Sequence, residues 1–276
     1  MTSIEVKTPA QLLLMRQAGL VVAEGLRAME AAAAPGVTTA ELDAVGREIL
    51  AAAGAKSNFL GYGGEYGVPF PAVACISVNE ELVHGIPGSR KLADGDVVSI
   101  DFGAIVEGWH GDAARTFIVG EGRQADKDLV EDTRKSLWAG IAATRAGGRV
   151  GDISRAIEDY VVGARRSYSS LREYTGHGIG SEMHMEPDVP NFRQRRRTPK
   201  LSSGVVLAIE PMLTLGTHRT RVCEDEWTVV SRDGSRGAHW EHSVAITAGG
   251  LWVLTSPDGG EAELKARGIT YAPISE

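Results

Sequence analysis

The chain has 276 residues, of which 43% are hydrophobic and 24% charged, a composition typical of globular proteins. Its formal net charge of -7 argues against binding to nucleic acid or an anionic membrane through an overall basic field. Two cysteines, Cys75 and Cys223, exclude a disulfide framework and favour the cytoplasm. We find neither a secretion signal nor a run of about 20 apolar residues, so we expect no membrane insertion.

Two helices are predicted at the start of the chain. Thr8 supplies a hydroxyl N-cap before Pro9, and apolar residues then recur at three- and four-residue steps. Thr38 and Glu41 have the spacing of a capping box, which predicts a second helix ending at Gly54.

The pattern then changes to strands between residues 69 and 119. Turns at HGIPG and EGWHG separate the apolar runs PAVACISV, GDVVSIDFGAIV and ARTFIVG. Helical spacing returns over residues 126–165, and a second strand-rich stretch follows. The two helical pairs have matching apolar and glycine positions, which indicates a weak internal duplication. We therefore expect an α+β fold of two pseudo-symmetric halves, each of two helices plus antiparallel strands, in one domain spanning residues 1–276.

Two acids interrupt the apolar strand pattern. Asp101 stands within VVSIDF, and Asp112 follows across the EGWHG turn. A carboxylate among apolar strand residues is costly to bury unless a cation or several donors meet it. As a lone pair, such acids are about as often structural, facing an arginine or capping a turn, as they are metal ligands.

Three further groups strengthen the case for metal. His177 stands in a glycine-flanked segment that reads as a turn, Glu210 ends an apolar strand, and Glu241 lies within another strand pattern. Each alone is more often a structural polar group. Together with the two aspartates they fit a pair of divalent cations.

Five sequence blocks carry a resemblance to a known family. They are VNEELVHGIP, DGDVVSIDFGAIVEGWHGDAARTFIVG, GHGIG, LAIEPM and WEHSVAIT. In this order they resemble the signature blocks of the type I methionine aminopeptidases, in the short form without an N-terminal zinc-finger extension. The resemblance implies the pita-bread fold, which prolidase and aminopeptidase P share.

The resemblance also implies a metal-ligand set. Asp101 would bind one metal, His177 and Glu210 the other, and Asp112 and Glu241 would bridge the two. The two divalent ions would be cobalt, manganese, iron or zinc. A hydroxide bridging them would be the nucleophile that removes the initiator methionine from nascent proteins, preferentially before a small second residue.

The remaining implied roles concern the substrate. His84 would contact the scissile amide and His184 its carbonyl oxygen, while Glu210 would carry a proton toward the leaving amine. The methionine slot would be lined by a set of five residues. These are Tyr62, Phe70, Cys75, Met183 and Trp227. Met183 stands where the family commonly has an aromatic residue, and residues 62–75 form a longer segment than usual.

Three rivals fit the sequence less well. Proline-directed peptidases of the same fold usually carry a large preceding domain, for which the roughly 60 residues before the strand region leave no room. Type II methionine aminopeptidases carry a helical insertion between the histidine and first glutamate ligands, and the 33 residues from His177 to Glu210 show no helical pattern. A binding protein that has lost its metals is the third. We expect a monomer that acts on nascent chains, and the basic residues 193–197 are a candidate ribosome contact.

Overall fold

The computed structural model describes residues 4–65 and 67–275 of the chain. Its helices are α1 (Pro9–Ala32), α2 (Thr39–Ala53), α3 (Gln124–Ala143), α4 (Val150–Gly163) and α5 (Glu261–Ala266). Its strands are β1 (Lys56–Ser57), β2 (Ala74–Val78), β3 (Glu81–Val83), β4 (Val97–Val106), β5 (Trp109–Ile118), β6 (Ser169–Ser170), β7 (Gly176–Gly178), β8 (Met185–Val189), β9 (Val206–Ile209), β10 (Met212–Thr214), β11 (Thr220–Val222), β12 (Val229–Ser231), β13 (Gly237–His239), β14 (His242–Ile246) and β15 (Leu251–Val253). None of the described helices combines the length and hydropathy that crossing a membrane requires.

The first two helices begin where their capping residues predict. The Thr8 hydroxyl accepts a hydrogen bond from the Gln11 backbone N–H, and the Gln11 side chain accepts one from the Thr8 N–H. Thr38 and Glu41 form the same reciprocal pair at α2. Gly54 ends α2 in the left-handed conformation, with φ of 61°. The predicted helix starts and the Gly54 end are confirmed.

The strands form antiparallel sheets in both halves of the chain. In the first half, β4 pairs with β5 along one edge and with β2 and β1 along the other. In the second half, the largest sheet has the order β15-β14-β9-β7-β8, and β13-β10-β6 forms a smaller one. Strands β11 and β12 extend from β3. Two helices therefore precede antiparallel strands in each half, and the predicted α+β class is confirmed.

Each half has its own apolar core. Val22, Leu42 and Ile100 bring α1, α2 and β4 together in the first. Leu137 and Ile153 hold α3 and α4 against the strands of the second. Burial of these side chains removes apolar surface from water and is the main source of stability for both helical pairs.

Strand β5 of the first half is hydrogen-bonded to strands of the second. The Asp112 backbone N–H donates to Ser243 Oγ at 3.1 Å, and the Ser243 hydroxyl donates to the Asp112 carbonyl at 2.7 Å. Further along β5, Thr116 Oγ1 accepts from the His239 N–H at 2.8 Å and donates to the His239 carbonyl at 2.7 Å. These reciprocal bonds fix the halves against each other beside the candidate metal ligands.

Candidate metal centre and substrate cavity

The two aspartates lie on one face of the β4–β5 hairpin. Asp101 is in the middle of β4, and Asp112 pairs with Gly103 in the strand register. Alternate residues of a strand share a face, so Asp101 and Gly103 project the same way, and Asp112 is a diagonal neighbour of Asp101. The pairing of adjacent strands therefore brings the two carboxylates together.

The other three candidate ligands come from the second half. His177 is in β7, and Glu210 directly follows β9. Glu241 lies in the gap between β13 and β14, so the expectation that it lies within a strand is wrong. A break in regular pairing frees its backbone N–H to donate to the Ala114 carbonyl of β5 at 2.9 Å. That bond holds Glu241 beside Asp112.

The predicted turn around His177 is also wrong, because this residue lies in a strand between two others. A Cβ on Gly176 would lie 2.4 Å from the Ala208 carbonyl oxygen, and one on Gly178 would lie 2.1 Å from that of Glu186. The flanking glycines therefore permit close approach of the neighbouring backbones rather than of a substrate.

The five candidate ligands converge. Asp112, His177 and Glu241 each offer a donor atom within 4.8 Å of the others. Glu210 Oε1 lies 3.6 Å from His177 Nε2. His177 Nδ1 lies 3.0 Å from the Gly178 carbonyl oxygen, a contact that leaves Nε2 as the metal-binding atom.

Burial changes the proton affinity of this cluster. It raises the pKa of Asp101, Asp112 and Glu241 well above the ordinary range, and repulsion among the carboxylates adds to the rise. Burial also raises the pKa of Glu210 to about 8 and lowers that of His177 to about 3. Ionised carboxylates at this density therefore need positive charge beside them.

The donor atoms fit divalent cations. Asp101 Oδ1, Asp112 Oδ1 and Glu241 Oε1 are buried, and none has a hydrogen-bond partner among residues 4–65 and 67–275. Unpaired buried carboxylate oxygens are costly unless an ion meets them. Carboxylate oxygen and imidazole nitrogen together suit manganese, iron, cobalt or zinc.

A cavity of about 730 Å³ extends from the ligands to an apolar end. The structure brings together in its lining all twelve residues singled out from the sequence, the five ligands, both histidines and the five proposed slot residues. Phe70, Cys75 and Met183 are almost fully buried at the apolar end.

Sequence reasoning missed Phe59, whose ring lies edge-on to Phe70 with centroids 6.3 Å apart. Its position three residues before Tyr62, in the same turn region, was the available signal.

The long segment 62–75 packs over Trp227. The Trp227 indole N–H donates to the Val68 carbonyl at 2.8 Å, and its ring lies edge-on to Phe70 at 5.4 Å. A Cβ on Gly63 would lie 2.9 Å from the same indole. Described residues on both sides of position 66 therefore contribute to one wall of the cavity.

His84 and His184 lie between the ligands and the apolar end. His84 adopts the left-handed backbone conformation, with φ of 58°, and its ring lies edge-on to Trp227 at 6.0 Å. His184 Nδ1 is 2.6 Å from the Tyr62 hydroxyl, and its ring centroid is 4.3 Å from that of His177. Burial lowers the pKa of His84 to about 4 and also lowers the pKa of His184. Both rings are therefore neutral at pH 7.

His239 is a further cavity residue that sequence reasoning missed. Its Nε2 lies 3.2 Å from Glu210 Oε2, and its side chain is only 2% exposed. The signal was its position two residues before Glu241 in AHWEH. The signal is weak, because a histidine at a strand end is common as a core residue.

Comparison with known proteins defines the class. Residues 13–248 match the model of metallopeptidase family M24, and the chain belongs to this family. The solved structure of a prolidase from Pyrococcus furiosus has the same fold, with a TM-score of 0.70 at 19% identity over 91% of this chain and 65% of the prolidase.

Closer similarity is to one branch of the family. Methionine aminopeptidase 1 of Mycobacterium tuberculosis is 51% identical over 246 residues, which cover 87% of this chain and 91% of the relative. The crystal structure of methionine aminopeptidase from Thermotoga maritima gives a TM-score of 0.87 at 40% identity, over 92% of this chain and 100% of that one. The family resemblance and the pita-bread fold expected from the sequence are confirmed.

Proposed function

We propose that this protein is a metal-dependent aminopeptidase that removes the initiator methionine from nascent polypeptides, preferentially when the second residue is small. One observation carries the proposal. Unpartnered carboxylate oxygens of Asp101, Asp112 and Glu241 converge with His177 at one end of a cavity whose other end is apolar. The similarity to methionine aminopeptidases gives the substrate.

In this proposal the centre would hold two divalent cations. Asp101 would bind one, His177 and Glu210 would bind the other, and Asp112 and Glu241 would be shared between them. When bound, the cations supply Lewis-acid activation of water and of the peptide carbonyl at neutral pH. The protein contributes a fixed set of donors, because the ligands come from strands and from the residues directly next to strands, and hydrogen bonds between the halves hold these in place.

The side chains around the metals handle the proton and the carbonyl oxygen. Glu210 accepts a proton from the attacking water and delivers it to the leaving amine. The Tyr62 hydroxyl engages His184 Nδ1, which leaves Nε2 of His184 to donate to the carbonyl oxygen as negative charge develops there. His84 meets the scissile amide.

The apolar end receives the methionine side chain. Phe59, Phe70, Cys75 and Met183 form one apolar cluster, with Trp227 packed against it. Aromatic rings and a thioether make favourable contacts with the polarisable sulfur of methionine. An apolar slot also excludes charged first residues, because they would lose their hydration without a partner.

The proposed substrate is tested with a set of tripeptides. Purified protein loaded with Co²⁺ or Mn²⁺ is incubated with Met-Ala-Ser, Met-Trp-Ser, Lys-Ala-Ser and Ala-Pro-Ser, and the released amino acid is measured. The proposal predicts rapid release from Met-Ala-Ser alone. Preferential cleavage of Ala-Pro-Ser would instead assign a proline-directed peptidase, and no cleavage by the metal-loaded protein would favour a binding protein.

The cellular setting is part of the proposal. We propose a cytoplasmic monomer that meets nascent chains at the ribosome through the exposed Arg195, Arg196 and Arg197. Arg193 forms ion pairs with Glu158 and Asp159, so the expected basic patch is reduced to the other three arginines.

Replacing Arg195, Arg196 and Arg197 by glutamine should weaken salt-sensitive co-sedimentation with ribosomes. The same change at the exposed Arg27, Arg145 and Arg155 should not. If the two triple variants co-sediment with ribosomes equally well, the proposed ribosome contact is wrong.

A further inference from the structure

His239 lies on the side of Glu210 opposite to His177. The Glu210 oxygens face different imidazoles, with Oε1 3.6 Å from His177 Nε2 and Oε2 3.2 Å from His239 Nε2. Glu210, His239 and Glu241 each offer a donor atom within 4.8 Å of the others. This second group shares Glu241 with the group of Asp112 and His177.

The His239 ring nitrogen lacks a hydrogen bond. Its Nε2 is buried and has no hydrogen-bond partner among residues 4–65 and 67–275, although a Glu210 oxygen is 3.2 Å away. The distance is short enough for a hydrogen bond, so the direction of the ring is what prevents one. A buried polar nitrogen that points past its nearest acceptor calls for another partner.

The spacing of these two atoms fits donors on one cation. Donors held at about 2.0–2.2 Å in tetrahedral or octahedral geometry stand roughly 3.0–3.5 Å apart and point at the ion rather than at each other. The 3.2 Å between His239 Nε2 and Glu210 Oε2 falls within this range, and His239 Nε2 makes no hydrogen bond to that oxygen.

The backbone of His239 is held in place. The Thr116 hydroxyl binds both its N–H and its carbonyl, and Ser99 Oγ lies 2.8 Å from Thr116 Oγ1. A buried side chain on a fixed backbone has few rotamers available, so the ring is held in place before a cation binds.

We propose that His239 is an additional metal ligand, which binds through Nε2 on the Glu210 side of the centre. This inference rests on the metal centre of the proposed function and adds a second imidazole to it. The ligand set would then be four carboxylates and two imidazoles, the second of which nothing in the family resemblance implied.

The test counts imidazoles bound to Co²⁺ in the whole protein. Protein with ¹⁵N-labelled histidine is loaded with Co²⁺ under anaerobic conditions, and the hyperfine-shifted histidine resonances are recorded by NMR. We expect two coordinated rings in the wild type and one in His239→Gln, because an amide side chain cannot give an imidazole signal. A wild-type spectrum with one coordinated ring overturns the inference even if no variant folds.

Metal affinity gives an independent measurement. His239→Leu should weaken the binding of one Co²⁺ by at least about tenfold in calorimetric titration. Loss of a residue that only supports a ligand already lowers metal affinity by about tenfold or more. The matched control is His242→Leu, because the His242 ring lies outside the cavity, with its Nδ1 2.8 Å from Thr255 Oγ1. Unchanged affinity in His239→Leu contradicts the inference, whereas a wild type that binds no divalent cation contradicts the proposed metal centre itself.

Discussion

The two ends of the cavity are built from opposite chemistry. At one end, Asp101, Asp112 and Glu241 are buried with unpartnered oxygens, and burial together with mutual repulsion raises their pKa values. At the other end, Phe59 and Phe70 pack as neutral rings whose contacts do not depend on charge. Removing one carboxylate changes the charge balance of every other ligand, whereas trimming one ring removes only its own contacts. Substitutions of the carboxylates should therefore abolish two-metal binding and activity together, whereas substitutions at the apolar end should lower activity in proportion to the contact removed.

The largest effect is expected from Glu241→Ala. Glu241 belongs to both donor groups, so its loss should remove one cation and reduce kcat/KM for Met-Ala-Ser about 1000-fold or more, several kcal/mol of transition-state stabilisation. Metal content by elemental analysis and peptide release measure both consequences. The control is Glu48→Ala, at an exposed position on α2. Full activity in Glu241→Ala contradicts the two-metal assignment.

His184→Ala separates chemistry from metal binding within the same end of the cavity. Loss of a donor to the developing oxyanion should lower kcat about 100- to 1000-fold while both cations stay bound. Tyr62→Phe, which removes the hydroxyl 2.6 Å from His184 Nδ1, should also lower kcat, but by a smaller factor than His184→Ala. Metal content and kcat are measured together, with exposed His218→Ala as the control. Loss of metal from His184→Ala would show that this residue is a ligand.

At the apolar end, Phe59→Ala should have a graded effect. It shortens one wall of the slot and should lower kcat/KM for Met-Ala-Ser about 10- to 100-fold, as expected for about 1–3 kcal/mol of lost apolar contact. Metal affinity should be unchanged. The comparison is made by measuring both quantities in Phe59→Ala and in Phe59→Leu, which retains more of the contact. A loss of metal binding in either variant would show that the two ends are not independent.

The smallest effect concerns pH. Glu210 must be ionised to bind a cation, and its pKa of about 8 means that it holds a proton below that pH. Cation affinity should therefore fall as the pH is lowered from about 8 to 7, by up to about tenfold for the one proton displaced from Glu210. Calorimetry in two buffers with different ionisation enthalpies measures the protons released. An affinity that does not change across this range contradicts the assigned role of Glu210.

The sequence predicted best those features that neighbouring residues determine. The capping pairs at Thr8 and Thr38 lie within four residues, so their patterns alone locate the helix starts. The strand at His177 was mistaken for a turn because its glycines serve contacts with Ala208 and Glu186, which are brought near only by folding. Local glycine signals cannot distinguish a turn from a close strand crossing.

The same limit applied to the site. Acids in apolar strands indicated a cation, the family resemblance named all five ligands, and the structure brings these five residues together in the cavity lining. His239 was missed because its position beside Glu210 depends on how β13 pairs with β10, where His239 lies opposite Met212, and no local pattern specifies that pairing. Phe59 was missed for a similar reason, since Met183, a member of the same apolar cluster, lies far along the chain.

The most direct test of the account is a stepwise metal titration of the metal-free protein. Co²⁺ or Mn²⁺ is added anaerobically in substoichiometric steps, and bound metal and Met-Ala-Ser hydrolysis are measured at each step. The account predicts no hydrolysis in the presence of a chelator, hydrolysis that appears as metal binds, and saturation of binding at two ions per chain. Full hydrolysis by chelator-treated protein, or a protein that binds no divalent ion, would contradict it.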